Sequence, residues 1–229
     1  REKMKDAIIE EEGDMIAAPQ EAEVKPRKRL TVLGVEFVYL YLFGIIFAAL
    51  GWIAENAAKI ATTGTFDCRF HLLPFISPYA LVPFALHIAL GDPDDLAFFG
   101  KKIFKKQRKI LSNLICLGLI MAFVFLGELA IGNMWEAVCG VKLWNYSNLP
   151  FQVTQYAGLI PTVGYGGGAY LIFRFVYKPL LKALRKIKFS AAKIICCTLG
   201  VAIVLDTAFM CLHNVLFNAP PMYWSVKLW

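Results

Sequence analysis

Five apolar runs, each near the length needed to cross a bilayer, constrain this chain more than any other feature. They are Leu33–Ala54, Leu72–Leu90, Ile110–Ile131, Phe151–Val176 and Ile194–Phe217. A helix needs about 20 apolar residues to cross a hydrocarbon core of roughly 30 Å. Buried helices of soluble proteins rarely stay apolar that long, and five in one chain leave lipid as the surrounding solvent. Composition agrees: 58% of residues are hydrophobic and 18% charged, against roughly 45–50% and about 25% in soluble domains. The expected fold class is all-α, a polytopic membrane helix bundle of about five transmembrane helices over residues 31–229. Pro74, Pro78 and Pro83 in the second run predict a kink or a re-entrant stretch.

Orientation follows from the basic residues. The net charge is +7, but its distribution argues against nucleic acid. Lys101, Lys102, Lys105, Lys106, Arg108 and Lys109 join runs two and three, and Lys178, Lys182, Arg185, Lys186, Lys188 and Lys193 join runs four and five. The alternate links hold only Lys59 and Arg69, then Lys142. Basic links favour the cytoplasmic side, which predicts the N-terminus inside and the C-terminus outside. Residues 1–30, polar and ending near Lys25-Pro26-Arg27-Lys28-Arg29, read as a cytoplasmic tail rather than a signal peptide. Both basic links, Leu96–Lys109 and Lys178–Phe189, are amphipathic and suited to the headgroup layer of the lipid bilayer.

Conventional catalytic and metal signatures are missing from the sequence. There is no CxxC, HExxH or GxxxxGK[ST], so no metal, cofactor or ATP-hydrolysing loop is expected. Cys116, Cys196, Cys197 and Cys211 lie in runs and read as packing residues, whereas Cys68 and Cys139 both fall in outer links, where a disulfide can form.

Ionisable groups beside or inside the runs are costly in lipid and therefore become the site candidates. These are Glu55 at the outer end of run one, Glu128 inside run three, Glu136 eight residues on, and Asp206 in run five, with Arg69 as a counter-charge. Glu128, Gly132, Glu136 and Gly140 recur every four residues and lie along one slowly drifting helical stripe. Two readings stay open. The groups pair with one another, with Arg69 or Arg174, or with backbone and hold the bundle together; or they bind or pass a polar solute. Trp52, Trp144 and Tyr146 are the candidates for an outer aromatic lid.

The chain also carries a short internal echo. Gly51-Trp52-Ile53-Ala54-Glu55 is followed by Leu73-Pro74-Phe75, and Gly132-Asn133-Met134-Trp135-Glu136 by Leu149-Pro150-Phe151. This predicts two parallel hairpins with a fifth span added, an arrangement that often puts a transport site between repeats. Separately, Thr162-Val163-Gly164-Tyr165-Gly166 spells a potassium-channel filter. Only about 15 Å of helix follows before Lys178, too little to cross, so Gly164, Gly166, Gly167 and Gly168 read as a close-packed or bent stretch, with a cation channel as a remote alternative.

Two strings together resemble a known family. One runs Gly51-Trp52-x-x-Glu55 to Phe66-x-Cys68-Arg69-x-x-Leu72-x-Pro74-Phe75-x-x-Pro78-Tyr79. The other runs Glu128-x3-Gly132-x3-Glu136-x3-Gly140-x3-Trp144-Asn145-Tyr146-Ser147-Asn148-x-Pro150-Phe151. Over roughly Phe37 to Lys178 the chain is similar to the CmpB-like type IV ABC-transporter permeases of bacteria. Cys68 and Asn145 stand where that family often has Asn and Asp. The resemblance implies a multi-pass protein of the bacterial cytoplasmic membrane and a permease-like role, and it carries no substrate or catalytic set. The expected function is a transport-related subunit that relies on a separate P-loop ATPase or other membrane subunits, with homo-oligomers allowed. The alternatives are a non-catalytic subunit of another membrane complex and a membrane-embedded enzyme acting on a lipid.

Overall fold

The computed structural model of the chain describes residues 29–102 and 109–229. The expected tail therefore lies almost wholly outside the described residues, as do Lys105, Lys106 and Arg108 of the first basic link. Three helices are long and apolar enough to cross a membrane: α1 (Phe37–Thr63), α4 (Lys109–Cys139) and α7 (Phe189–Phe217). Each stops at a residue in the left-handed region: Gly64 (φ 64°), Gly140 (φ 72°) and Asn218 (φ 52°). Their N–H groups bond back to the carbonyls of Ile60, Glu136 and Asn214. Glycine and asparagine adopt this conformation at least cost, which is why they stand at these stops.

Runs two and four take other forms. Run two becomes α2 (Ser77–Ala80) and α3 (Val82–Leu90), hinged at Leu81. Pro78 and Pro83 sit in the first turns of these helices, where a missing N–H leaves no bond unmade. Together they reach about 21 Å at 1.5 Å per residue, short of a full hydrocarbon core. Run four begins as α5 (Leu159–Leu171), widens into a π turn at Ile172–Val176 and continues as α6 (Tyr177–Leu184).

Two expectations change as a result. The basic segment Lys178–Phe189 is mostly the end of this continuous helical path, with Leu181 and Leu184 buried, rather than a separate helix lying in the headgroup layer. The filter-like string Thr162–Gly166 lies inside α5, where its carbonyls serve the helix instead of forming a filter loop. Of the four glycines of α5 only Gly166 is closely packed; a Cβ there would lie 2.8 Å from Met121 Cγ and 3.1 Å from Met121 Cα. Gly164, Gly167 and Gly168 face open space.

α1 is the hub. It packs on α2, α3, α6 and α7, and half of its apolar window is buried, against 28% for α7 and 11% for α4. Leu40, Phe43, Phe47, Leu90, Phe173 and Ala192 close the core around it. α4 packs chiefly on α5 and leaves Leu111, Leu114 and Leu126 exposed, as a lipid-facing helix does.

Three short ribbons tie the ends. β1 (Thr31–Val32) pairs with β2 (Val35–Glu36), and β4 (Gly91–Asp92) with β5 (Asp95–Leu96). Charges gather at this end. Glu36 meets Arg185 at 3.4 Å and Arg29 at 3.5 Å. Lys178 meets Asp92 and Asp94, both at 2.6 Å. Lys178 holds the Asp94 carboxyl below the usual carboxylate range, and its own ammonium is raised in return. Arg174 donates to the Pro93 carbonyl. In the described part of Leu96–Lys109, Phe98 bridges to Lys101 in a turn, not a helix. At the opposite end β3 (Thr65–Asp67) pairs antiparallel with β6 (Ser225–Lys227), Thr65 facing Lys227. The C-terminal ends of α1 and α7 therefore share one face of the bundle.

The contact at Gly166 sets a prediction. Gly166→Ala should destabilise the protein by about 1–3 kcal/mol, the range for overpacking, whereas Gly167→Ala should be near neutral. Thermal unfolding in mild detergent reads the difference, and equal midpoints would refute the tight α4–α5 contact.

Candidate functional site

A tyrosine laid on a glycine recurs at two places. Tyr79 from α2 lies against Gly51 of α1, where an added Cβ would fall 2.5 Å from the ring. Tyr156, in the link between α4 and α5, lies against Gly132 of α4, again with 2.5 Å to an added Cβ. Four residues further along each helix, about 6 Å up the axis, stands a glutamate. Tyr79 Oη donates to Glu55 Oε1 at 2.8 Å, and Tyr156 Oη donates to Glu136 Oε2. Glycine lets the ring lie flat, and the flat ring carries its hydroxyl to the carboxylate one turn on.

Glu55 collects the larger set. Its Oε1 also accepts from Tyr165 Oη at 3.2 Å, and its Oε2 pairs with Arg69 Nη2 at 2.8 Å. Arg69 and Phe70 both occupy the left-handed region, at φ 52° and 68°, a conformation costing on the order of 1–3 kcal/mol for such residues. The turn is fixed from below. Asp67 Oδ1 accepts from the Arg69 N–H at 2.9 Å, the Asp67 N–H donates to Asn56 Oδ1 at 3.0 Å, and Lys59 pairs with Asp67 Oδ2. Strain held by a buried network is thus what aims the guanidinium at Glu55.

Glu128 stands across from this group, within electrostatic reach of Glu55. Its Oε1 accepts from Tyr146 Oη at 3.0 Å. Its Oε2 and Arg69 Nε are both shielded from solvent with no protein partner. Burial, with Glu128 and Glu55 nearby, pushes the Tyr146 hydroxyl above the usual tyrosine range, so it stays a donor. Two carboxylates, one guanidinium and three phenol hydroxyls therefore converge from α1, α2, α4, α5 and both of the links that follow α1 and α4.

The remaining candidates sit apart. Glu136 is served by Tyr156, by Gln155 Nε2 at 3.1 Å and by Lys142 at 3.8 Å. Asp206 of α7 is buried and accepts from the Leu72 and Leu73 N–H groups at 2.9 and 3.1 Å. His71 Nδ1 lies 3.4 Å from it. Burial pushes the His71 imidazole below its ordinary range; Asp206 opposes that shift and Arg69 adds to it. Trp52 Nε1 donates to the Cys68 carbonyl, and Trp144 Nε1 to the Tyr156 carbonyl. Both indoles pin a link rather than stand over the Glu55–Glu128 cluster. Arg174 pairs with Asp94 at the charged end and meets none of the candidate carboxylates. Cys68 and Cys139 are both unbonded; Cys68 Sγ lies 3.9 Å from Met222 Sδ, and Cys139 neighbours Cys211. Among the described residues no group of His, Cys, Asp and Glu is placed to hold a metal ion.

Sequence reasoning did not single out Tyr79, Tyr156 or Tyr165 as site residues. Tyr165 was inside the filter-like string, Tyr79 closed the first family string, and each lies in a position where only tertiary contact reveals its use.

A pH prediction follows from His71. Its folded pKa is lowered, so the unfolded chain binds the proton more readily, and stability is present above about 6.5 and lost as pH falls below it. The unfolding midpoint in mild detergent should drop between about pH 7 and pH 5. His71→Gln should flatten that drop, and an unchanged slope would remove His71 as its source.

Comparison with known proteins bears on all of these residues at once. A family model described as "Putative ABC-transporter type IV" matches residues 41–211. No curated protein and no solved structure matches the chain. The matched stretch runs from α1 into α7 and contains Glu55, Arg69, Tyr79, Glu128, Glu136, Tyr146, Tyr156, Tyr165 and Asp206. With three crossing-length helices and most of its length inside that match, this membrane protein belongs to the type IV ABC-transporter family of the CmpB kind.

Proposed function

We propose that this chain is the membrane-embedded subunit of an ABC-type permease in the bacterial cytoplasmic membrane, and that the Glu55–Glu128–tyrosine cluster receives a polar solute. The observation that carries the reading is the convergence of both carboxylates, Arg69, Tyr79, Tyr146 and Tyr165 from the two helical hairpins. Arg69 offsets Glu55, which leaves Glu128 with one partnered and one unpartnered oxygen. That arrangement suits a cationic or hydrogen-bond-donating solute, since buried charge needs a partner.

The sequence has no P-loop, so ATP hydrolysis is assigned to a separate subunit. Its docking place is the end of the bundle that carries Lys178, Arg174 and Arg185, which the charge distribution assigns to the cytoplasm. In this reading the α5–α6 path adds a crossing, and the kinked α2–α3 pair returns the chain across the membrane only together with the non-helical stretch that precedes it. The repeated Gly–Tyr–Glu contact supports a two-hairpin arrangement, with α7 added.

Three measurements test this. A tagged chain drawn from its native membrane in gentle detergent should bring a P-loop ATPase in fixed ratio; other membrane subunits without an ATPase would place it in a different machine. Glu55→Gln and Glu128→Gln should each weaken solute handling about tenfold, the ~1.4 kcal/mol scale of one lost charged contact, while membrane abundance holds. If both variants keep full function, the cluster is a bundle lock. For orientation, an impermeant thiol label should reach Lys142→Cys in intact cells, and Lys182→Cys only after permeabilisation.

A further inference from the structure

The cysteines offer a site that the proposed transport role does not use. All six are free thiols, yet two are held as neighbours: Cys139 Sγ and Cys211 Sγ lie 3.0 Å apart. Cys139 is the last residue of α4, and Cys211 lies on α7 within its last two turns. The helices are also in register around the pair. The Asn214 side chain, oriented to satisfy its neighbours, accepts from Trp135 Nε1 at 3.2 Å and donates to the Ala219 carbonyl at 3.0 Å. An added Cβ on Gly140 would lie 3.7 Å from Asn218 Oδ1. The sulfurs are thus presented to each other by two helix ends that are otherwise tied together. A disulfide needs about 2.05 Å between sulfurs, so bond formation asks for an approach of roughly 1 Å.

We propose that Cys139 and Cys211 form an intramolecular disulfide that fastens the outer end of α4 to α7. Cys211 is the more accessible of the two, Cys139 being 2% exposed. As a thiolate, Cys211 attacks an external disulfide, R–S–S–R, and releases one R–S⁻. The Cys139 thiolate then attacks the mixed disulfide at the Cys211 sulfur and releases the second. Two electrons pass from the cysteine pair to R–S–S–R, and the two cysteine protons end on the two R–SH products. The pair lies at the end where β3 meets β6, opposite the basic links, and so on the side that positive-inside asymmetry assigns to the oxidising exterior. Cys68, whose sulfur neighbour is Met222, takes no part. The bond would hold the second hairpin against the fifth helix and does not depend on any solute.

The test uses the full chain purified in mild detergent and exposed to oxidised glutathione. Free thiols are then blocked with N-ethylmaleimide under denaturing conditions, the sample is reduced, and newly released thiols are tagged with maleimide-polyethylene glycol. The expected result is two tags on the wild-type chain and a proteolytic fragment pair linking Cys139 to Cys211 in the unreduced digest. Cys139→Ser and Cys211→Ser should each abolish that linkage, whereas Cys68→Ser should leave it. A wild-type chain that takes no tag, or whose linked fragments contain a different cysteine pair, would overturn the proposal without recourse to any variant.

Discussion

A carboxylate inside or beside a membrane helix must find donors or a counter-charge, and in this chain the links supply many of them. Asp206 is met by two backbone N–H groups from the stretch before α2. Glu55 is met by Arg69 from the turn after β3 and by Tyr79 at the start of α2, Glu128 by Tyr146, and Glu136 by Tyr156. The helices alone would pack as apolar rods with little to fix their order. Their acidic groups instead define where each link returns to the bundle, and so which helices become neighbours.

Glycine makes the return compact. At Gly51 and Gly132 the helix surface is bare enough for a phenol ring to lie on it, which brings a hydroxyl under a carboxylate without an intervening layer of side chains. The same geometry serves two different ends. At Glu136 it finishes a local knot with Gln155 and Lys142. At Glu55 it leaves room for Arg69 and for Tyr165, and through Tyr165 for contact with α5. One device therefore finishes in a local knot beside α4 and in part of a polar cluster beside α1.

The membrane class was legible because apolar length is a local property. Leu33–Ala54, Ile110–Ile131 and Ile194–Phe217 fall largely within α1, α4 and α7. The helices outrun the apolar runs by several residues: α1 continues through Glu55, Asn56 and Lys59 because those polar groups find partners in the following link, Arg69 for Glu55 and Asp67 for Asn56 and Lys59. The prolines of run two announced its break, while the π turn at Ile172–Val176 has no counterpart in the hydropathy pattern. In the site, cost in lipid singled out Glu55, Glu128, Glu136 and Asp206, and each of them has partners in the fold. It could not name the tyrosines, since an aromatic residue at a membrane boundary has many uses and only folding selects one. Pairing Cys68 with Cys139 failed for the same reason: shared location in outer links says nothing of distance, and α7 brought Cys211 to Cys139 instead.

The strand β6 follows α7, yet it completes β3, and Asp206 anchors Leu72 across a separation of 134 residues. Membrane insertion proceeds from the N-terminus as the chain is made. The stretch from α1 to α3 is therefore made with its Thr65–Asp67 edge uncovered and the Leu72 and Leu73 amides unclaimed until α7 and β6 follow. The link after α1, made ahead of α4, α5 and α7, is completed only by the arrival of α7 and β6.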